Sequence, residues 1–407
     1  MTAERVLVLG GGLQGVCVAL ALEASGRSVT LLEAAPGCLQ RASLRNEGKI
    51  HLGFVYANDP SFRTPRLMLE AALAFGPLLE RWMGRAIDWE ALCSRRFTYL
   101  LMADSLVSSD SLLASWYRLD SHYRSEMRDS GRCYLGRRLD TLLQTAPEGL
   151  GGVIRPDRVT GAIATEETAI DPEAFGTLLM RRLTRRAAID VRNHHRVSSI
   201  ERASGGFRVR AVVAEREVLF EADTVVNCLW NGRLAIDAQL GLAPHRGWVY
   251  RLKHRLLGTA PRSLWSLPSL TLVLGRYGDV VMRPGGQTYL SWYPTCMTGW
   301  STDLESPAAW AAACAGDVDT QERARLVRDG LAALDAIVPG LAACDVETVD
   351  AGIIFSWGRT DIDDPHSELH RRDSIGILSA DGYFSINTGK LTCAPLFAQQ
   401  LVELLGA

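Results

Sequence analysis

The chain of 407 residues carries 47% hydrophobic and 22% charged side chains, the balance of a folded protein of about two domains rather than of a disordered one. Its 44 basic and 46 acidic side chains give a formal net charge of −2, which argues against a general nucleic-acid or acidic-membrane binder, because such binding rests on excess lysine and arginine. No run approaches the roughly 18 apolar residues of a membrane span. The nine cysteines form neither a Cys-x-x-Cys pair nor a zinc-type cluster, so no metal site is expected and the thiols are expected to be reduced, as in a cytoplasmic protein.

Residues 5–33 hold the strongest local pattern. Val6-Leu-Val-Leu9 predicts a strand, Gly10-Gly11-Gly12-Leu13-Gln14-Gly15 follows at once, and residues 16–24 predict a helix ended by Gly26. A second apolar run, 28–32, finishes at Glu33, completing one βαβ unit of about 30 residues. Gly10 permits the tight turn, Gly12 lets the backbone approach a pyrophosphate, and Gly15 lets helix and strand pack closely. The first helical turn, with Leu13 and Gln14, faces the phosphates with free N–H groups and partial positive charge. Glu33 is placed to accept from both adenosine ribose hydroxyls and to repel a 2′-phosphate. NADP is disfavoured, and FAD and NAD remain.

Beyond Glu33 the βαβ pattern does not repeat. Residues 36–59 are loop-like, and helices are predicted at 67–82 and 111–123 from apolar spacing. Asp171-Pro172 predicts an N-cap and first turn of another helix. Short strands are predicted at 189–191, 196–200, which includes Val197, 207–213, 217–220 and 223–227. Residues 245–294 are β-rich and punctuated by turn signals such as Pro284-Gly285-Gly286, as an antiparallel substrate domain would be. Two helices, 308–315 and 319–337, precede a final strand, glycine-lysine loop and helix. The expected fold is α/β, a Rossmann-like dinucleotide-binding domain of residues 1–60, 151–240 and 345–407 with an inserted antiparallel substrate domain of residues 61–150 and 241–344.

Three further segments extend this reading. Arg45-Asn46-Glu47-Gly48-Lys49-Ile50-His51-Leu52-Gly53 resembles the second motif of the D-amino-acid-oxidase-like flavoprotein superfamily, in particular the Asn-x-Gly-x-Ile-His-x-Gly stretch of L-2-hydroxyglutarate dehydrogenases. Thr224-Val-Val-Asn227-Cys228 is similar to the strand that returns to the adenine side of the FAD in these proteins, although Leu229-Trp230-Asn231-Gly232 replaces the small residues that usually follow. Gly389-Lys390-Leu391-Thr392 is similar to the Gly-Lys-Leu-Thr loop of FAD-dependent glycerol-3-phosphate dehydrogenases. The resemblance implies an FAD enzyme that removes a hydride from a CH–OH or CH–NH carbon of a small polar metabolite, of 2-hydroxy or 2-amino acid type, to flavin N5. Oxygen and a quinone both stand as electron acceptor. An amine or amino-acid oxidase, and a nucleotide-binding protein that keeps the fold alone, are the competing readings.

Such chemistry needs cofactor positioning, a carbon held over N5 and stabilisation of negative charge on the reduced ring. The resemblance places Arg45, Asn46, Gly48, Lys49, Val197, Asn227, Gly389, Leu391 and Thr392 beside the cofactor, together with the first βαβ turn. Lys390 and the N–H groups near Gly389 are expected at the N1–C2=O edge. His51 is the expected base, orienting group or covalent tether, since an imidazole with an ordinary pKa of about 6.5 suits proton abstraction near neutral pH. For an anionic substrate, Arg359 and Tyr250 are the leading anchors among the strand aromatics and arginines, because a guanidinium fork matches a planar carboxylate.

Overall fold

The computed structural model describes residues 4–146 and 150–406; the outer limits of the expected domains, residues 1 and 407, fall outside them. Strand β1 (Val6–Leu9) runs parallel to β2 (Val29–Leu32) on one side and to Thr224–Asn227 on the other, with Leu9 opposite both Leu32 and Asn227. Ile189–Arg192 extends the sheet beyond β2, while Tyr383–Asn387 and the antiparallel edge Gly376–Ala380 extend it beyond Thr224–Asn227. All four residues of β1 are buried, as a parallel strand covered on both faces requires.

Helix α1 (Leu13–Ala24) begins three residues earlier than expected, with Gly12 as its N-cap, and ten of its twelve residues are buried. Its Ala, Leu, Val and Cys side chains leave no polar face, so it is wrapped by the sheet, the helix Arg63–Met83 and the final helix Ala394–Gly406. Two glycines make the turn possible. Gly10 has φ of +95°, and a Cβ on Gly15 would lie 1.9 Å from the Gly10 carbonyl oxygen. Arg196–Ala203, Gly206–Val213 and Arg216–Ala222 form a separate antiparallel meander.

The second large sheet has nine strands, and its longest pair joins Trp248–Thr259 to Asp345–Trp357 from Trp248 opposite Trp357 to Thr259 opposite Asp345. Two of its strands, Phe97–Met102 and Val159–Thr165, have no counterpart in the sequence reading. Phe-Thr-Tyr-Leu-Leu-Met is buried on both faces, so its apolar run carries no alternation to announce a strand.

The two layers differ from the expected division in three places. Val159–Thr165 and Asp345–Trp357, assigned by sequence to the dinucleotide-binding part, hydrogen-bond into the nine-stranded sheet. Arg63–Met83, assigned to the cap, packs on α1 and the final helix, where its buried Met68, Leu69, Ala72, Phe75 and Leu79 find an apolar surface. Asp171 caps its helix as expected, its carboxylate accepting from the Glu173 and Ala174 amides at 2.9 and 3.3 Å.

Candidate active site

A cavity of about 420 Å³ lies where the two sheets face each other. Gly10, Gly12, Leu13, Gln14, Glu33, Val197 and Cys228 line one part of it, and Arg45, Asn46, Glu47, Lys49, His51, Lys253, Tyr289, Gly389, Lys390 and Leu391 another. Gly12 opens onto this space, since a Cβ there would meet only Ser43 Oγ, at 3.4 Å.

Local hydrogen bonds hold the wall in place. Glu33 accepts from the Gly11 amide at 2.8 Å and the Ala35 amide at 2.7 Å, one bond to each carboxylate oxygen. Each oxygen keeps a further acceptor site. Ser43 Oγ takes the Leu13 amide at the start of α1. Gln14 donates to the Ala394 carbonyl and accepts from Thr388, joining the βαβ turn to the Gly389-Lys390 loop. Asn46 closes its own loop, donating to the Ala42 and Ser43 carbonyls and accepting from the Gly48 amide.

Four of the expected cofactor residues stand behind the wall. Gly15 packs on the Gly10 turn, and Gly48, with φ of +78°, would bring a Cβ within 1.9 Å of the Ile170 carbonyl oxygen. Asn227 is fully buried and braces the turn after its strand through the Arg233 carbonyl, Asp237 and Tyr383. Thr392 Oγ1 accepts the His51 amide at 2.9 Å.

The two leading substrate anchors do not reach the cavity. Side chains alternate along Trp248–Thr259, and the face carrying Lys253 and Arg255 is the one turned to the cavity. Tyr250 has the opposite parity; its ring packs 5.3 Å from Phe355 and its hydroxyl donates to the Leu304 carbonyl. Arg359 is exposed and lies along Gly247, where a Cβ would be 2.5 Å from its Cγ. Arg251 shares the cavity-facing parity but is held by Asp361, Ser356 and Tyr293.

Of three charged groups missed by the sequence reading, Glu47 and Lys253 lie in the wall and Arg372 is buried outside it. Lys253 belongs to a run of cations at 251, 253 and 255 on one face of a covered strand, a pattern that does signal a site. Glu47 sits inside the Asn46–His51 motif, whereas Arg372 follows only a short turn, Glu368–His370, and carries no periodic signal. Lys49 Nζ donates to Asp279 at 2.7 Å and Thr271 at 2.5 Å and lies 4.1 Å from the centre of the Phe97 ring.

Burial pushes the Glu47 carboxyl up, but the combined charges of Lys253, Lys390 and Lys49 outweigh it and bring the group down to about 2. Burial, then Arg372, Lys253 and Lys49, lower Lys390 to about 8 against the pull of Glu47. Burial, followed by Lys390 and Lys49, holds the His51 imidazole well below its usual range, so it is neutral at pH 7. That departs from the ordinary imidazole expected from sequence. His51 is 3% exposed, its Nδ1 has no hydrogen-bond partner, and its Nε2 lies 3.9 Å from Glu47 Oε1.

A glycine-rich βαβ turn with a carboxylate at the end of its second strand, opening onto a cavity walled by an antiparallel sheet, defines the class: a dinucleotide-dependent oxidoreductase. The model of the DAO family, FAD-dependent oxidoreductases, matches residues 5–404, and the chain belongs to that family. FAD is therefore its cofactor. No curated protein matches the chain in sequence. Among solved structures it resembles glycine oxidase from Geobacillus kaustophilus, with TM-score 0.68 and 15% identity over 100% of this chain and 95% of that one. L-proline dehydrogenase from P. horikoshii gives 0.67 and 15% over 99% and 93%, and L-alpha-glycerophosphate oxidase from Mycoplasma pneumoniae, with FAD bound, gives 0.66 and 17% over 100% and 96%. At these identities the likeness establishes the fold.

Proposed function

We propose that this FAD enzyme removes a hydride from a CH–OH or CH–NH carbon of a small polar metabolite. The observation that carries the reading is His51: a neutral, buried imidazole among the residues lining the cavity, its Nδ1 without a hydrogen-bond partner, in the same charge cluster as Lys390. FAD supplies a two-electron acceptor when bound.

The residues fit a long dinucleotide. Gly10, Gly12 and the first turn of α1 would receive the pyrophosphate, and Glu33 would accept from the ribose. Val197 and Cys228 would hold the adenosine. Arg45, Asn46, Lys49 and the 389–391 loop would hold the ring system, and Lys390 would supply a cation for the negative charge it gains on reduction. Gly15, Gly48, Asn227 and Thr392 shape this wall from behind. His51 Nδ1 accepts the proton of the substrate hydroxyl or amine, for which a neutral imidazole is the competent form. We place the protein in the cytoplasm: all nine cysteines are unpaired, and no helix among the described residues is long and apolar enough to cross a membrane.

Deuterium at the oxidised carbon tests the hydride step. A substrate that bleaches the bound flavin without air is expected to do so more slowly when that carbon is deuterated, and equal rates would contradict the assignment.

A further inference from the structure

The turn after Thr224–Asn227 carries a bulky residue at a costly backbone position. Trp230 has φ of +55°, in the left-handed region that a large side chain adopts only when its surroundings hold it there. What holds it is the other layer. Its indole Nε1 donates to the Ile353 carbonyl at 2.8 Å, and its ring meets Phe355 edge-on at 6.3 Å, both on the strand Asp345–Trp357. The next residue, Asn231, donates from Nδ2 to Ser306 Oγ at 2.8 Å. Two successive side chains of a turn on the six-stranded sheet thus cross to the nine-stranded one.

Ser306 belongs to a loop that is itself fastened. The Trp248 indole donates to the Asp303 carbonyl at 3.0 Å and the Tyr250 hydroxyl to the Leu304 carbonyl at 3.3 Å. Tyr250, turned away from the cavity, therefore anchors the loop that presents Ser306 to Asn231. Glu305, between Leu304 and Ser306, lines the cavity.

Gly10 fixes where this crossing lies. A Cβ on Gly10 would stand 2.9 Å from the Cys228 carbonyl oxygen and 3.2 Å from Leu229 Cα, so the turn presses on the glycines assigned above to the pyrophosphate. Leu229, Trp230 and Asn231 continue the cavity wall from there toward Ile353 and Glu305 on the facing layer.

We infer, resting on the dinucleotide placement proposed above and independently of the substrate, that Trp230 and Asn231 form a clasp across the FAD cavity, so that the cofactor enters and leaves only when their bonds to Ile353 and Ser306 open. Both bonds join protein to protein. Their loss lowers the barrier in both directions and leaves the contacts with FAD in place, whereas a residue that grips the cofactor itself changes release and affinity together. The left-handed tryptophan fits this role, because the reach of its N–H to the opposite layer is what a small residue in the same turn lacks.

Flavin fluorescence follows FAD release after dilution of the full-length holoenzyme and rebinding of FAD to the deflavinated chain. Trp230→Phe keeps a ring and loses the indole N–H, while Asn231→Ala and Ser306→Ala each remove one end of the second bond. The expected result is release about fivefold faster in each variant, the factor of one typical hydrogen bond, with rebinding faster by the same factor and a dissociation constant within about twofold of the unaltered protein. Asn231→Ala and Ser306→Ala should match each other, and the two together should add nothing further, since they break the same bond. Should Trp230→Phe not fold, this second pair still decides, because Ser306 lies on a partly exposed loop. Glu33→Ala, which alters a proposed contact with the cofactor itself, should instead weaken affinity. Unchanged release in the clasp variants beside weakened affinity in Glu33→Ala would overturn the clasp and leave the dinucleotide placement standing. Faster release with unchanged rebinding would make these side chains direct contacts and overturn the clasp as well. Unchanged behaviour in every variant, Glu33→Ala included, would overturn clasp and placement together.

Discussion

Thr392 Oγ1 accepts the His51 backbone N–H at 2.9 Å and donates to the Lys49 carbonyl at 3.3 Å, so the glycine-lysine loop near residue 390 is fastened to the strand that delivers the imidazole. Two segments more than 300 residues apart in sequence meet through one buried hydroxyl.

Thr392→Val should therefore keep the fold and the flavin but lose the fastening. One hydrogen bond is worth about 1 kcal/mol, and the His51 amide would be left buried without a partner. The expected outcome is a turnover several-fold lower at unchanged flavin content, measured on purified protein. Unchanged turnover would return Thr392 to a packing role.

Glu33→Ala removes the acceptor for the Gly11 and Ala35 amides as well as the proposed ribose contact. Bonds to a charged acceptor contribute about 1.5–3 kcal/mol, so FAD affinity should fall by roughly ten- to a hundredfold. Equilibrium dialysis against free FAD checks this, and full retention of the cofactor would contradict the placement of the ribose.

Glu47 gives a pH prediction for the protein without flavin. Its carboxyl falls from an ordinary 4.5 to about 2 because the lysine charges outweigh burial. A lowered carboxyl stabilises the folded state fully above about 4.5, and that stabilisation is lost as pH falls from there toward 2. The amount is on the order of a few kcal/mol. Chemical denaturation in this acid window should show a shallower pH dependence for Glu47→Gln than for the unaltered chain.

Lys390 should impose an alkaline limb on flavin reduction. Lowered to about 8 by burial and neighbouring cations, it loses its charge as pH rises through that value, and the negative charge of the reduced ring loses a counter-ion. The reduction rate is expected to fall above about pH 8, and Lys390→Met should be slow throughout and lack that limb. A variant with an unchanged rate and profile would make Lys390 a spectator.

Much of this site was legible in the sequence, for identifiable reasons. The βαβ unit announces itself because each glycine answers a local backbone demand, visible without tertiary context. His51, Lys49 and Lys390 were marked by motifs of the same kind. The substrate side was not. Tyr250 and Arg359 were reasonable by residue type, yet which face of a strand meets a cavity depends on register, and one step along Trp248–Thr259 exchanges Tyr250 for its neighbour Arg251. Arg372 lies between short turns, where no periodicity exists to read. The strand Phe97–Met102 was hidden by its own uniform hydrophobicity.

The most direct measurement is rapid-mixing flavin reduction by a bleaching substrate in the His51→Asn holoenzyme, with flavin content measured on the same sample. If His51 Nδ1 takes the substrate proton, flavin content stays normal while reduction slows by about 10²–10⁴-fold. Reduction at the rate of the unaltered protein, with flavin content equally normal, would contradict that role and require the proton to leave by another route.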